Sequence, residues 1–151
     1  GDCASWLRFA LTRAAPVTTG TGLTTAIIDL PPGPVLLRLD QVSFPPGAIA
    51  YRHVHAGAGI RYLDRGALHL QADDHAFDAA PGDSWFEGAD SPVRATASED
   101  AAETRFLRFM ALPAAYLGKP SIRILDAADA ALPRRQTTFR HFERLIQRDA
   151  L

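Results

Sequence analysis

Two histidines one residue apart, His53 and His55, end the run Gly47-Ala-Ile-Ala-Tyr-Arg-His-Val-His, which follows a Pro-Pro turn and precedes Gly57-Ala-Gly59. Side chains of a β-strand alternate between its faces, so both imidazoles leave the strand on the same side. Such a pair offers two nitrogen ligands to a divalent metal, or two polar groups to an organic molecule. Little else in the chain advertises chemistry. There is no Gly-x-Ser-x-Gly, no phosphate loop and no dinucleotide fingerprint. Cys3 is the single cysteine, so an intrachain disulfide and a thiolate metal cluster are both excluded.

The segments that must hold the histidines read as β-structure. Short β-rich runs recur at Gly22–Leu30, Val35–Phe44, Ile49–His55, Gly59–Leu63, Ala67–Gln71, Ser84–Glu87, Pro92–Ala97 and Thr104–Leu112. Glycine, proline and Asp-Asp turns separate them. Eight such runs without intervening helices predict an all-β sandwich or barrel. Helices are expected only at the two ends. Asp2 to Ala14 spaces its apolar residues at helical intervals and forms an arm that packs Trp6 onto the domain. Asp126–Leu132 forms a short helix stopped by Pro133. In the tail, Phe139, Phe142, Leu145 and Ile146 make one apolar helical stripe. The expected organisation is one domain over 1–151, with an N-terminal arm or helix (1–17), a β-barrel (18–112) and a C-terminal extension (113–151).

Composition narrows the partners. With 47% apolar and 22% charged residues, the chain has the make-up of a soluble globular domain. A net charge of −1 without any basic run leaves no electrostatic footprint for nucleic acid. No apolar run approaches the roughly 20 residues of a membrane-spanning helix. The chain opens on Gly1-Asp2 without an initiator methionine, and removal of a leader or a tag remnant would account for that. The expected compartment leans towards export.

Gly47, His53, His55 and Gly66 resemble the first motif of the cupin superfamily, in which glycine, His-x-His, a glutamate and a second glycine follow one another at these spacings. Gly82-Asp-Ser-Trp85-Phe-Glu87 resembles the opening of its second motif. The resemblance covers residues 35 to 112 and implies a cupin-type jelly-roll barrel with its site in the mouth. The family's glutamate falls at Gly59 (or at Ala58 in the shorter spacing) and its third histidine at Val93, so two of its four usual metal ligands are absent. The glycines at 57 and 59 leave room for a ligand where a carboxylate would stand.

Three readings account for the surviving pair. In one, Glu87 replaces the missing carboxylate, and His53, His55 and Glu87 hold one divalent metal (Fe, Mn, Zn or Ni). In another no metal is bound, and the histidines hydrogen-bond an organic ligand. In the third they are satisfied core groups. The family register turns Arg61 inwards, where it would grip a substrate carboxylate, whereas Ile60 and Tyr62 are the more obvious core residues of that strand. Arg61 and Arg108 are also the natural partners of an inward Glu87. Arg61, Trp85 and Arg108 are therefore the candidate ligand-binding residues, with His69, His75, His141 and Lys119 expected at the surface. Two functions remain: a module that binds a small anionic molecule around His53 and His55, or a metal-dependent dioxygenase, isomerase or lyase. The aromatic tail, the Trp6 arm and the resemblance together predict a homodimer.

Overall fold

The structure, a computed structural model, describes residues 6–13 and 24–151. Ten antiparallel strands make two five-stranded sheets. They are β1 (Val35–Phe44), β2 (Ile49–His55), β3 (Ala58–Arg65), β4 (Leu68–Ala72), β5 (Ala76–Ala79), β6 (Ser84–Glu87), β7 (Val93–Ala97), β8 (Thr104–Pro113), β9 (Ile122–Ile124) and β10 (Thr137–Ile146). The first sheet runs β10-β1-β8-β3-β6 and the second β5-β4-β7-β2-β9. The chain changes sheet at every connection except β4–β5, so consecutive strands face one another across the interior.

Period-two patterning explains β1. Leu36, Arg38, Asp40, Val42 and Phe44 are buried, while Leu37, Leu39, Gln41 and Ser43 are half-buried on the other face. The interior between the sheets has an apolar end made of Val42, Phe44, Leu63, Leu70, Trp85 and Phe106, among others. Glycines at the turns permit this geometry. Gly66 has φ +77°, and a Cβ there would stand 2.4 Å from Thr104 Oγ1, so only glycine fits.

Three expectations at the chain ends require correction. Residues 6–13 form no helix, and Trp6 is exposed rather than packed; the rest of the expected Asp2–Ala14 helix lies outside the described residues. Residues 24–30 form no strand, and Gly22 lies outside the described residues. The tail is a strand, not a helix. Phe139 pairs with Gln41 and Phe142 with Leu39, with a register shift between Leu39 and Asp40 that leaves His141 as the extra residue. Because of this bulge, two aromatics three residues apart share one face, which imitates helical spacing. Asp126 does cap a short helix, α1 (Ala127–Ala130), by accepting from the Ala128 amide. Among the described residues no helix is long and apolar enough to cross a membrane.

Candidate functional site

A cavity of about 120 Å³ lies between the sheets, lined by His53, His55, Arg61, Trp85, Glu87 and Arg108 together with apolar side chains such as Val93 and Phe106. The second sheet supplies the imidazoles. A register shift between Ala50 and His53 in the β2–β7 pairing lets Ala50, His53 and His55 all line the cavity. The two rings stand edge to face with centroids 5.0 Å apart. His53 Nδ1 lies 2.6 Å from Tyr51 O. A carbonyl only accepts, so Nδ1 carries the proton and Nε2 the lone pair.

The tautomer of His55 follows from its neighbours in the same way. Arg108 Nη1 lies 3.4 Å from His55 Nε2. A guanidinium only donates, so Nε2 accepts and Nδ1–H donates to Ser121 Oγ at 3.0 Å. Ser121 Oγ–H in turn donates to Met110 Sδ at 3.9 Å. Burial, first of all, pushes both imidazoles below their ordinary value, against the Tyr51 carbonyl's upward pull on His53. At His55 the Arg108 and Arg61 guanidinia add to the effect and carry it well below. Both rings are therefore neutral at pH 7.

The first sheet supplies the charges, in one row across its inner face. Arg140, Asp40, Arg108, Arg61 and Trp85 are successive cross-strand neighbours on β10, β1, β8, β3 and β6. Asp40 is fully buried; it accepts from Arg108 Nη2 and Arg140 Nε, both at 3.1 Å. Arg61 lies directly opposite Arg108, a like-charge pair that is unfavourable in a sheet. Arg61, 1% exposed, touches Glu87, its Nη2 lying 2.8 Å from Oε2. That contact is poorly aligned as a hydrogen bond, and Arg61 Nη1 and Nη2, like Arg108 Nε, are buried donors without a hydrogen-bond acceptor. Burial first, then Arg61, lower Arg108 to about 10, so it keeps its charge at neutral pH.

Glu87 faces the interior, where its Oε1 accepts from Trp85 Nε1 at 2.9 Å. With its other oxygen against Arg61, this carboxylate is engaged on both sides. Among the described residues no three His, Cys, Asp or Glu side chains are grouped to hold a metal. His53, His55 and Glu87 as placed do not fit a resident divalent ion. Two nitrogens are too few, the carboxylate is taken, and two guanidinia repel a cation from the spot. The expected room at Gly59 is absent as well. A Cβ there would meet Phe109 O at 2.4 Å, Met110 Cγ at 2.8 Å and Arg61 Nη1 at 3.0 Å, so strand β8 and the arginine together close that space.

The three remaining histidines are exposed as expected, although His141 stands on a strand and not on the expected helix. His69 and His75 are exposed beside Asp78 and Asp74, and His141 beside Gln41. Lys119 is exposed. Sequence reasoning missed Asp40, Ser121, Arg134, Gln136 and Thr138, the last three lining the cavity from the start of β10 and the segment before it. Arg38 and Asp40 carried a usable signal, because charges at period-two positions of an otherwise apolar strand announce a polar interior.

No family model matches the chain, and comparison with curated proteins finds no match in sequence. Solved structures do match. A structure of the DMSP lyases RdDddP and RnDddQII aligns at 20% identity and TM-score 0.51, over 60% of this chain and 44% of that one. An oxalate oxidase aligns at 14% identity and TM-score 0.50, over 59% and 46%. An RmlC-like cupin from Shewanella frigidimarina aligns at 20% and 0.46, over 63% and 90%. The matched part thus spans less than half of the lyase and oxidase chains. At such identities the likeness is one of fold. It agrees with the resemblance carried by Gly47, His53, His55 and Gly66: this chain has the fold of the cupin-type proteins.

Proposed function

We propose that the chain is a small-molecule-binding jelly roll of the cupin type, which takes a small organic anion in the barrel mouth around His53 and His55. The observation that supports this best is the pair Arg61 and Arg108. Two guanidinia directly opposite one another line one cavity and retain unfilled donors. A carboxylate placed between them would relieve the repulsion and fill those donors in a charge-assisted way. The cavity, about 120 Å³, suits a compact acid. Titration calorimetry with small carboxylates and their neutral amides tests the reading. A carboxylate should bind, its amide should not, and Arg108→Gln should weaken binding by about tenfold or more. Equal binding of acid and amide, or no binding of any acid, would overturn it.

One observation favours a second reading, a metal-dependent dioxygenase, isomerase or lyase in which Glu87 turns from Arg61 to join His53 and His55 on the metal. The Tyr51 carbonyl sets His53 in the tautomer that a metal-bound imidazole adopts. Elemental analysis of protein purified without chelator decides it. Stoichiometric metal lost from both His53→Ala and Glu87→Gln would support that centre.

The chain also pairs as a homodimer in this reading. Phe142, Leu39, Phe109, Ile60 and Phe86 form an unbroken apolar row across the outer face of the first sheet, and none of the five is buried. An obligate interface there would bury roughly 2,000 Å² or more in total. Light scattering at micromolar concentration should give twice the chain mass.

A further inference from the structure

The guanidinia call for an acceptor, but the same cavity also holds groups that call for a donor. His53 is fixed with its proton on Nδ1, bonded to Tyr51 O, and its ring makes no other hydrogen bond among the described residues. Its Nε2 therefore offers a lone pair, and His53 lines the cavity shared by Arg61 and Arg108. Gln136 lines it too, and its Oε1 is buried with no donor. A plain carboxylate would satisfy the arginines and leave both of these acceptors empty. A ligand that displaces water from such acceptors without offering them a donor binds more weakly than one that carries the missing group.

The missing group must be a neutral donor. An ammonium would sit beside the guanidinia of Arg61 and Arg108 in a desolvated space, where like charges repel it. A hydroxyl carries a proton to donate without adding charge. The remaining wall, with Val93, Ala95 and Phe106, takes a short apolar tail. Resting on the anion-binding reading above, we propose that the ligand is a small hydroxy acid of about three or four carbons. Its carboxylate meets Arg61 and Arg108, and its hydroxyl donates to His53 Nε2.

The test compares lactate with propionate, and 2-hydroxybutyrate with butyrate, by titration calorimetry on the full chain. L-Alanine serves as the ammonium counterpart of lactate. Each hydroxy acid should bind at least about tenfold more tightly than its deoxy partner, and alanine more weakly than either. In His53→Phe the preference should collapse towards unity while the deoxy acid still binds. In His53→Gln, which keeps an acceptor, part of the preference should remain. Equal binding of lactate and propionate by the wild-type protein would overturn the hydroxy-acid inference and leave the anion-binding reading intact. Tighter binding of alanine would overturn it too, as would a preference unchanged in His53→Phe. Failure of every acid to bind would sink both.

Discussion

Two neighbouring rows of the first sheet are inverted relative to an ordinary antiparallel sheet, while the rest of its inner face is apolar core. The row facing the interior reads Arg140, Asp40, Arg108, Arg61, Trp85, and the neighbouring row facing outwards reads Phe142, Leu39, Phe109, Ile60, Phe86. Hydrophobic burial alone would put the second row inside and the first outside. The inward row costs desolvation, most of all at Arg61, whose terminal donors stay unfilled. The outward row leaves Phe142 41% and Phe86 38% exposed. Neither row follows from burial between the sheets alone: the inner row suits the proposed anion, and the outer row, covered in part by Phe9 against Phe109, suits the proposed second copy.

Asp40 is where the inner row can be broken hardest. It is the carboxylate shared by Arg108 and Arg140. Asp40→Ala leaves two cations without it and should cost about 3–5 kcal/mol, read from denaturant unfolding. Loss of under 1 kcal/mol would mean that the charge row is not a coupled unit. Neutralising the other pair as a whole should act in the opposite sense. Arg61→Met with Glu87→Gln removes both members of a buried ion pair, and should leave stability unchanged or raise it by about 1–4 kcal/mol while abolishing anion binding. A destabilised double variant would show that Arg61 serves the fold rather than the ligand.

The facing sheet sharpens the contrast, because its polar groups are neutral. His53 and His55 have folded-state values lowered, above all by burial, so the unfolded chain binds their protons more readily. Their contribution is complete above the unfolded value near 6.5 and is lost as pH falls below it, until the folded values are passed. Between those limits, stability should fall by up to about 1.4 kcal/mol per pH unit for each histidine, and thermal midpoints from pH 7.5 to 5 measure it. A profile identical in His53→Gln would remove that ring from the account. The smallest effect on the folded chain itself belongs to the outer row. Phe142→Lys should convert the expected dimer to a monomer by light scattering, and should remove the dependence of the thermal midpoint on protein concentration that an obligate dimer shows.

The β-scaffold was largely legible because alternation and turn residues are local signals. Val35–Phe44, Ile49–His55 and Ser84–Glu87 read from the sequence coincide with strands. The three residues of β9 are too few to show a period, and Ala76-Phe-Asp-Ala79 of β5 offers a single large apolar side chain. The tail was misread for a tertiary reason, since the His141 bulge exists only against β1. The site divides along the same line. The histidine pair lies on one strand and so announces itself. The opposition of Arg61 to Arg108, and the bridge from Asp40 to Arg140, are matters of register between segments far apart in the chain, which no local pattern encodes.

That bulged strand has a consequence for how the cavity breathes. Thr138 lines it and Arg140 anchors its charge row, yet β10 is the outermost strand of its sheet and exposed along most of its length. Edge strands open at lower free energy than the strands they cover, so the amides of β10 should exchange with solvent sooner than those of β8. An occupied cavity holds that margin shut. Slowed amide exchange along residues 137–146 would then report a bound ligand, whatever its chemical identity, from the rim of the molecule rather than from its centre.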